Sequence, residues 1–119
     1  MQEVILIVDD EPAVRSAMDR WLRLRGFETD LAADGAEAVA KCKTNPYEIV
    51  TMDLEMPRMN GIEAIRIIKR DHPGLPVIVL TGFVNDLEKL HGLTVDGILT
   101  KPIRMHQLEE AIRETIAKA

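Results

Sequence analysis

The sequence predicts an α/β domain, a parallel sheet of five strands with helices on both faces. Three observations predict it. Short apolar runs rich in β-branched residues recur five times along the chain. A stretch with helical spacing follows each of them. Strand-then-helix alternation of this kind gives a parallel sheet joined by right-handed crossovers. At 119 residues and 46% hydrophobic content the chain can bury one core and not two, so the whole span 1–119 reads as a single unit.

Val4-Ile5-Leu6-Ile7-Val8 is unalternating and too short for a helix, which suits a strand covered on both faces. Pro12 then fits the first turn of a helix, where its missing N–H costs little. Val14, Met18, Trp21 and Leu22 recur at helical spacing up to Gly26, a natural stop. Residues 27–31 form a weaker second strand, and 35–43 a second helix that ends before Asn45-Pro46. Ile49-Val50-Thr51-Met52 leads into Asp53 as the third strand. A loop over 54–60 precedes a helix opened by Gly61, with Ile62, Ile65 and Ile68 on one face. The connector 72–76 leads to the fourth strand, Val77-Ile78-Val79-Leu80, ending at Thr81. A short helix is expected over 86–91. Gly97-Ile98-Leu99-Thr100 is the fifth strand and ends at Lys101-Pro102. The last helix runs over 105–118 with Leu108, Ala111, Ile112 and Thr115 inward.

The bulk properties exclude several classes. A net charge of −5 argues against unaided nucleic-acid binding, which leans on Lys and Arg neutralising phosphates. One cysteine, Cys42, cannot make an internal disulfide, and we read it as a half-buried helix residue. No run approaches the roughly 18 apolar residues that span a bilayer. The start of the chain, with Glu3 and a short apolar run into Asp9, is not a signal peptide. A cytoplasmic protein without a membrane role is the expectation.

Asp9, Asp10, Asp53, Thr81 and Lys101 each stand just after a strand run. In an open parallel sheet, ligands bind at the carboxyl ends of strands, where the strand order reverses. Singly, each has a plainer role: Asp9 or Asp10 as a helix cap, Asp53 as a turn residue, Thr81 as a strand end, Lys101 as a solvated charge. Together, five such groups at four strand ends make a site the better reading. Three carboxylates at ~4–5 Å repel by roughly 3–4 kcal/mol per pair at an effective dielectric near ~20. Such a cluster binds a proton or a cation. A hard ion, Mg²⁺ or Mn²⁺, suits oxygen donors. With Lys101 as a second positive charge and Thr81 as a hydroxyl donor, the set meets the needs of phosphoryl transfer to a carboxylate.

Asp9-Asp10-Glu11-Pro12, the segment from Asp53 through Leu54, Glu55, Met56, Pro57, Arg58, Met59 and Asn60 to Gly61, the Thr81-Gly82 pair and the Lys101-Pro102 pair resemble, in order and over essentially the whole chain, the signature of two-component response-regulator receiver domains. The resemblance implies a flavodoxin-like (βα)5 three-layer sandwich with sheet order 2-1-3-4-5. It implies that Asp53 accepts a phosphoryl group from a phosphohistidine on a sensor histidine kinase or histidine phosphotransfer protein. It implies direct metal ligation by Asp10, Asp53 and the backbone carbonyl of Glu55, with Asp9 acting mainly through water. It also implies that Thr81 moves toward the phosphoryl group, that Lys101 pairs with it, and that the Lys101–Pro102 bond is cis. The chain is then a phosphoacceptor that assists its own phosphorylation and dephosphorylation rather than a conventional enzyme. The surface of the fourth helix, fifth strand and last helix changes to control an output partner or domain. The implied state is a monomer or a dimer promoted by phosphorylation.

Two departures stand out. Three positions before the lysine the family commonly carries an aromatic residue whose ring swings inward; here it is Ile98. Phe83 is a substitute, with plain packing as the alternative. The interval from Thr81 to Lys101 is also shorter than in many relatives, which alters the fourth helix or the loop after it. Glu55 and Phe83 occupy the variable positions flanking the pocket and are expected to set the lifetime of the phosphorylated state.

Three rival readings compete. Asp53-Leu54-Glu55 faintly resembles the paired acids of haloacid-dehalogenase-type phosphatases, but there the nucleophile leads and the metal-binding pair comes last. A nucleotide or flavin module would cradle phosphate in a glycine-rich loop; here the first loop is Asp9-Asp10-Glu11. The third reading makes the receiver one part of a longer regulator, Met1 favouring an N-terminal receiver or a complete single-domain protein. His72, His91 and His106 lack metal-ligand spacing and read as surface residues. Met52, Met56 and Met59 read as packing. Arg20, Arg23 and Arg25 read as a solvated face that meets an acidic kinase surface if the first helix contacts the donor.

Overall fold

The computed structural model describes residues 4–56, 61–83 and 88–118. Its elements run in the expected order: β1 (Val4–Val8), α1 (Pro12–Leu24), β2 (Glu28–Ala32), α2 (Gly35–Thr44), β3 (Ile49–Asp53), α3 (Gly61–Asp71), β4 (Val77–Thr81), β5 (Gly97–Thr100) and α4 (Met105–Lys118). All strand pairs are parallel, in the order β2-β1-β3-β4-β5. Of the expected loop 54–60, residues 57–60, Met59 included, lie outside the described residues. Of the expected helix 86–91, residues 86 and 87 do. Residues 88–90 form a single short 3-10 turn rather than a helix.

Strand alternation divides the core in two. Leu6, Val8, Val50, Met52, Val77 and Val79 point to one face and pack with Ala38 and Cys42 of α2 and with Ala64, Ile65 and Ile68 of α3. Ile5, Ile7, Ile49, Ile78 and Leu80 point to the other and pack with Met18 and Leu22 of α1 and with Leu108 and Ile112 of α4. Burial on both faces explains why β1, β3 and β4 read as largely apolar runs, with Thr51 a buried polar residue inside β3. β5 lies at the sheet edge, and its alternate residues Ile98 and Thr100 are exposed. Cys42 is fully inside, at 4% exposure, rather than half-buried, and burial pushes its thiol up to about 11.

The helix ends follow local chemistry. Gly26, at φ +97°, closes α1: Phe27 N–H reaches Leu22 O at 3.0 Å and Gly26 N–H reaches Arg23 O at 3.1 Å. A left-handed residue there turns Phe27 back against Leu22 in the core. Asp34 caps α2 by accepting the Glu37 N–H at 2.8 Å, and Glu37 returns to the Ala33 N–H at 2.7 Å. α1 starts with Pro12 in its first turn, but its cap is Glu11, without a side-chain bond, rather than Asp9 or Asp10. Both aspartates are thereby left for other work.

Arg20 and Arg23 lie on the exposed side of α1, as expected of a solvated face. Arg25 does more. It bonds Glu109, which is 7% exposed on α4 and also accepts from Trp21 Nε1 at 3.2 Å and Arg113 Nε at 3.0 Å. This cluster ties the end of α1 to α4.

Candidate functional site

The chain leaves β1 to one side for β2 and to the other for β3, so the strand order reverses between β1 and β3. That crevice lies at the carboxyl ends of the strands. Asp9 extends β1 by one residue, its N–H bonded to Ala32 O at 3.1 Å. Asp53 is the last residue of β3 and Thr81 the last of β4. Lys101 extends β5, its N–H bonded to Thr81 O at 2.8 Å. Main-chain ladders therefore fix where these four side chains start.

The structure brings the three carboxylates together. Asp9, Asp10 and Asp53 each offer an oxygen, and these oxygens all lie within 4.8 Å of one another. Asp9 is 2% and Asp53 1% exposed, with Asp10 nearer the rim. Asp9 Oδ1 accepts the Glu11 N–H at 2.9 Å, and Arg15 donates to the Asp9 carbonyl at 2.7 Å. Burial, reinforced by the charges of Asp53 and Asp10, pushes the Asp9 carboxyl up to about 6. Burial also raises Asp53, against the pull of its bonds to Lys101 and the Glu55 N–H. Such a cluster takes up either protons or a cation.

Lys101 Nζ donates to Asp53 Oδ1 at 2.8 Å and stands 3.5 Å from Glu55 Oε1. Burial opposes its charge, but the bond to Asp53 and the surrounding carboxylates hold the ammonium above its ordinary value. The Lys101–Pro102 peptide is cis, as the resemblance implied. Thr81 is fully buried, and its hydroxyl exchanges bonds with the Phe83 backbone at 3.2 Å. Phe83 itself is 63% exposed and Ile98 44%, so neither apolar side chain fills the crevice.

Two contacts of the site come from packing. Glu55 Oε1 accepts the Gly82 N–H at 2.7 Å, joining the loops after β3 and β4. Gly61 opens α3 so close to the site that a Cβ there would stand 2.6 Å from the Asp53 carbonyl oxygen. A glycine placed eight residues after a strand-end aspartate is a signal, but only the packing of α3 on β3 gives it meaning. The histidines are not in the carboxylate cluster; His91 and His106 are exposed and His72 is partly covered.

No helix among the described residues is long and apolar enough to cross a membrane. The model of the response regulator receiver domain family matches residues 5–113. The chain is 34% identical over 116 residues to the response regulator MprA of Mycobacterium sp. (strain KMS), covering 96% of this chain and 50% of that protein. It is 30% identical over 120 residues to the DNA-binding response regulator MtrA of Mycolicibacterium smegmatis, covering 99% of this chain and 52% of that one. The chain thus spans about half the length of these curated relatives. Among solved structures, a CheY-like receiver domain protein from Methanospirillum hungatei superposes with a TM-score of 0.94 at 27% identity, covering 99% of this chain and 96% of that one. The receiver domain of the sensor histidine kinase PA1611 from Pseudomonas aeruginosa superposes with a TM-score of 0.91 at 27% identity, covering 98% and 99%. That structure holds a magnesium ion in its active-site cleft. Neither the family match nor these relatives support the haloacid-dehalogenase-type alternative. With an acidic pocket at the sheet's switch point that fits a phosphoacceptor site, and a family match over nearly its whole length, the chain belongs to the receiver domains of two-component response regulators.

Proposed function

We propose that Asp53 is the phosphoacceptor and that Asp9, Asp10, Thr81, Lys101 and the Glu55 carbonyl serve it. The observation that carries this reading is the 2.8 Å bond from Lys101 to a buried Asp53 that also shares a 4.8 Å cluster with Asp9 and Asp10. An Asp53 carboxylate oxygen forms a bond to the phosphorus of a phosphohistidine as the P–N bond breaks. The electron pair leaves on the donor imidazole, which takes a proton from solvent. The donor is a sensor histidine kinase or a histidine phosphotransfer protein; acetyl phosphate is a small substitute.

The donor set fits a small, hard dication that keeps part of its water shell, Mg²⁺ first and Mn²⁺ second. Asp10, Asp53 and the Glu55 carbonyl would hold it directly and Asp9 through water. When bound, it neutralises the crowded carboxylates and offsets charge on the transferred phosphoryl oxygens. Lys101 supplies the second positive charge, and Thr81 donates its hydroxyl after leaving the Phe83 backbone. The same residues assist hydrolysis, in which a water oxygen bonds to phosphorus as the P–O bond to Asp53 breaks and the carboxylate leaves, which makes the chain a self-assisting phosphoacceptor.

Phosphorylation adds charge and acceptor oxygens at the end of β3. Reorientation of Thr81 and Lys101 shifts an existing equilibrium at the surface built on β5 and α4, which acts on an output partner or domain. The domain works in the cytoplasm, as a monomer or as a pair formed on phosphorylation, without contacting nucleic acid itself. Incubation with acetyl phosphate and Mg²⁺ should add one phosphoryl group by intact mass. Asp53→Asn should abolish it, and equal labelling of that variant would refute the assignment.

A further inference from the structure

We propose that the Glu55 side chain is a latch on the pocket: before phosphorylation it engages the Gly82 amide and the Lys101 ammonium, and it must release them for the switch to turn. This rests on Asp53 being the phosphoacceptor. Glu55 Oε1 lies 2.7 Å from Gly82 N and 3.5 Å from Lys101 Nζ, while the same ammonium lies 2.8 Å from Asp53 Oδ1. Lys101 is thus shared between the anion that receives the phosphoryl group and the anion that holds the neighbouring loop. The base of the latch is fixed by the acceptor itself, since the Glu55 N–H bonds Asp53 Oδ1 at 3.0 Å.

The contact is built, and it is built to give way. A Cβ on Gly82 would sit 3.1 Å from Glu55 Oε1, so a glycine lets the backbone amide come up to the carboxylate. Glu55 Oε2, by contrast, is buried with no hydrogen-bond partner among the described residues. The Gly82 amide at 2.7 Å and the Lys101 ammonium at 3.5 Å therefore both address Oε1, while Oε2 gains no bond from the described residues, which weakens the closed position. A phosphoryl group on Asp53 brings a further negative charge beside Glu55 and competes for Lys101. Repulsion and lost pairing then act in the same direction. Because Gly82 begins the connection from β4 to β5, freeing its amide hands the event at Asp53 to that connection. Glu55 is in this sense a positioning residue, acting through Gly82 and Lys101.

The test compares wild type with Glu55→Ala and Glu55→Gln by two readouts. The first is the Gly82 amide proton in the NMR spectrum, which a charge-assisted bond moves downfield. Glu55→Ala should move it upfield in the unphosphorylated protein. Saturation with beryllofluoride and Mg²⁺, which mimics the phosphoryl group, should erase the difference between wild type and variant. The second is the labelling rate with acetyl phosphate. It should rise about three- to tenfold in Glu55→Ala, the weight of one modest hydrogen bond. Glu55→Gln should fall between, because its amide oxygen still accepts from Gly82 but carries no charge for Lys101. An unchanged Gly82 resonance, a difference that survives beryllofluoride, or wild-type rates in both variants would overturn the latch. So would equal acceleration by both, which is repulsion alone. Failure of wild type to label or to bind beryllofluoride would instead sink the reading of Asp53. The Gly82 shift in unloaded protein tells the two failures apart.

Discussion

Lys101 donates a 2.8 Å hydrogen bond to Asp53 across 48 positions of sequence, from the end of an edge strand to the end of a central one. The bond gives a buried carboxylate its compensating charge before any phosphoryl group or metal arrives.

Lys101→Ala removes that compensation. Burial then acts on Asp53 with less opposition, and its carboxyl rises further from the ordinary range. Labelling by acetyl phosphate at neutral pH should slow and recover part of its rate as pH is raised. Labelling of wild type should shift amide NMR signals of β5 and α4, and in Lys101→Ala this spectral change should be lost. An unaltered pH–rate profile together with an intact spectral change would remove Lys101 from the switch.

Asp9 sits at about 6 and Asp53 is raised as well, both mainly through burial. A carboxyl raised by folding holds its proton more tightly folded than unfolded. These two groups therefore favour the metal-free fold at low pH; the contribution of Asp9 is lost as pH rises from about 4 through about 6, and that of Asp53 is lost in the same direction. Mg²⁺ competes with the same protons. The increase in melting temperature produced by Mg²⁺ should be small near pH ~4.5 and grow to a plateau above pH ~6.5. A pH-independent increase would show that the ion binds elsewhere.

Gly61→Ala places a methyl group 2.6 Å from the Asp53 carbonyl oxygen and 2.9 Å from a Leu54 side-chain carbon. Helix α3 must shift, at a cost of about 1–3 kcal/mol typical of overpacking. Urea unfolding should show the loss, and labelling should fall as the end of β3 is displaced. Alanine is a better helix former than glycine, so wild-type stability or better would show that α3 yields without strain.

Thr51 is fully buried in β3, and its hydroxyl has no partner among the described residues. Thr51→Val keeps the β-branched shape and removes a desolvated polar atom. It should stabilise the domain by about 1 kcal/mol without changing Asp53 labelling. Destabilisation in urea would point to a water or another group that satisfies the hydroxyl.

Glu109 is held below the ordinary glutamate range: burial opposes this, but bonds from Arg113, Arg25 and Trp21 prevail. A depressed carboxylate stabilises the fold above its unfolded value and stops doing so as pH falls through the folded one. Glu109→Ala should lower the urea midpoint at pH 7, and this deficit should shrink in acid. Glu110→Ala, on the exposed side of the same helix, should do neither. Equal effects of the two substitutions would deny the cluster any role in docking α4 on α1.

Much of this molecule was legible in one dimension because its physics is local. A strand buried on both faces must be largely apolar, so β1, β3 and β4 announce themselves, and their apolar runs give way to the polar residues Asp9, Asp53 and Thr81. The residue types at the strand ends, three carboxylates, a hydroxyl and an ammonium, determine the chemistry wherever they meet. Short elements were harder: one 3-10 turn over 88–90 carries too little periodicity to be told from a helix.

The tertiary structure alone decided which partners met. Glu55 and Gly82 are 27 positions apart and Arg25 and Glu109 are 84 apart, and no spacing rule connects either pair. The inward depth of Cys42 and the clearance at Gly61 depend on how α2 and α3 settle on the sheet. Sequence sets the period of an element and the chemistry of its ends, because those depend on neighbouring residues. Packing sets distances between elements, because those depend on every side chain between them.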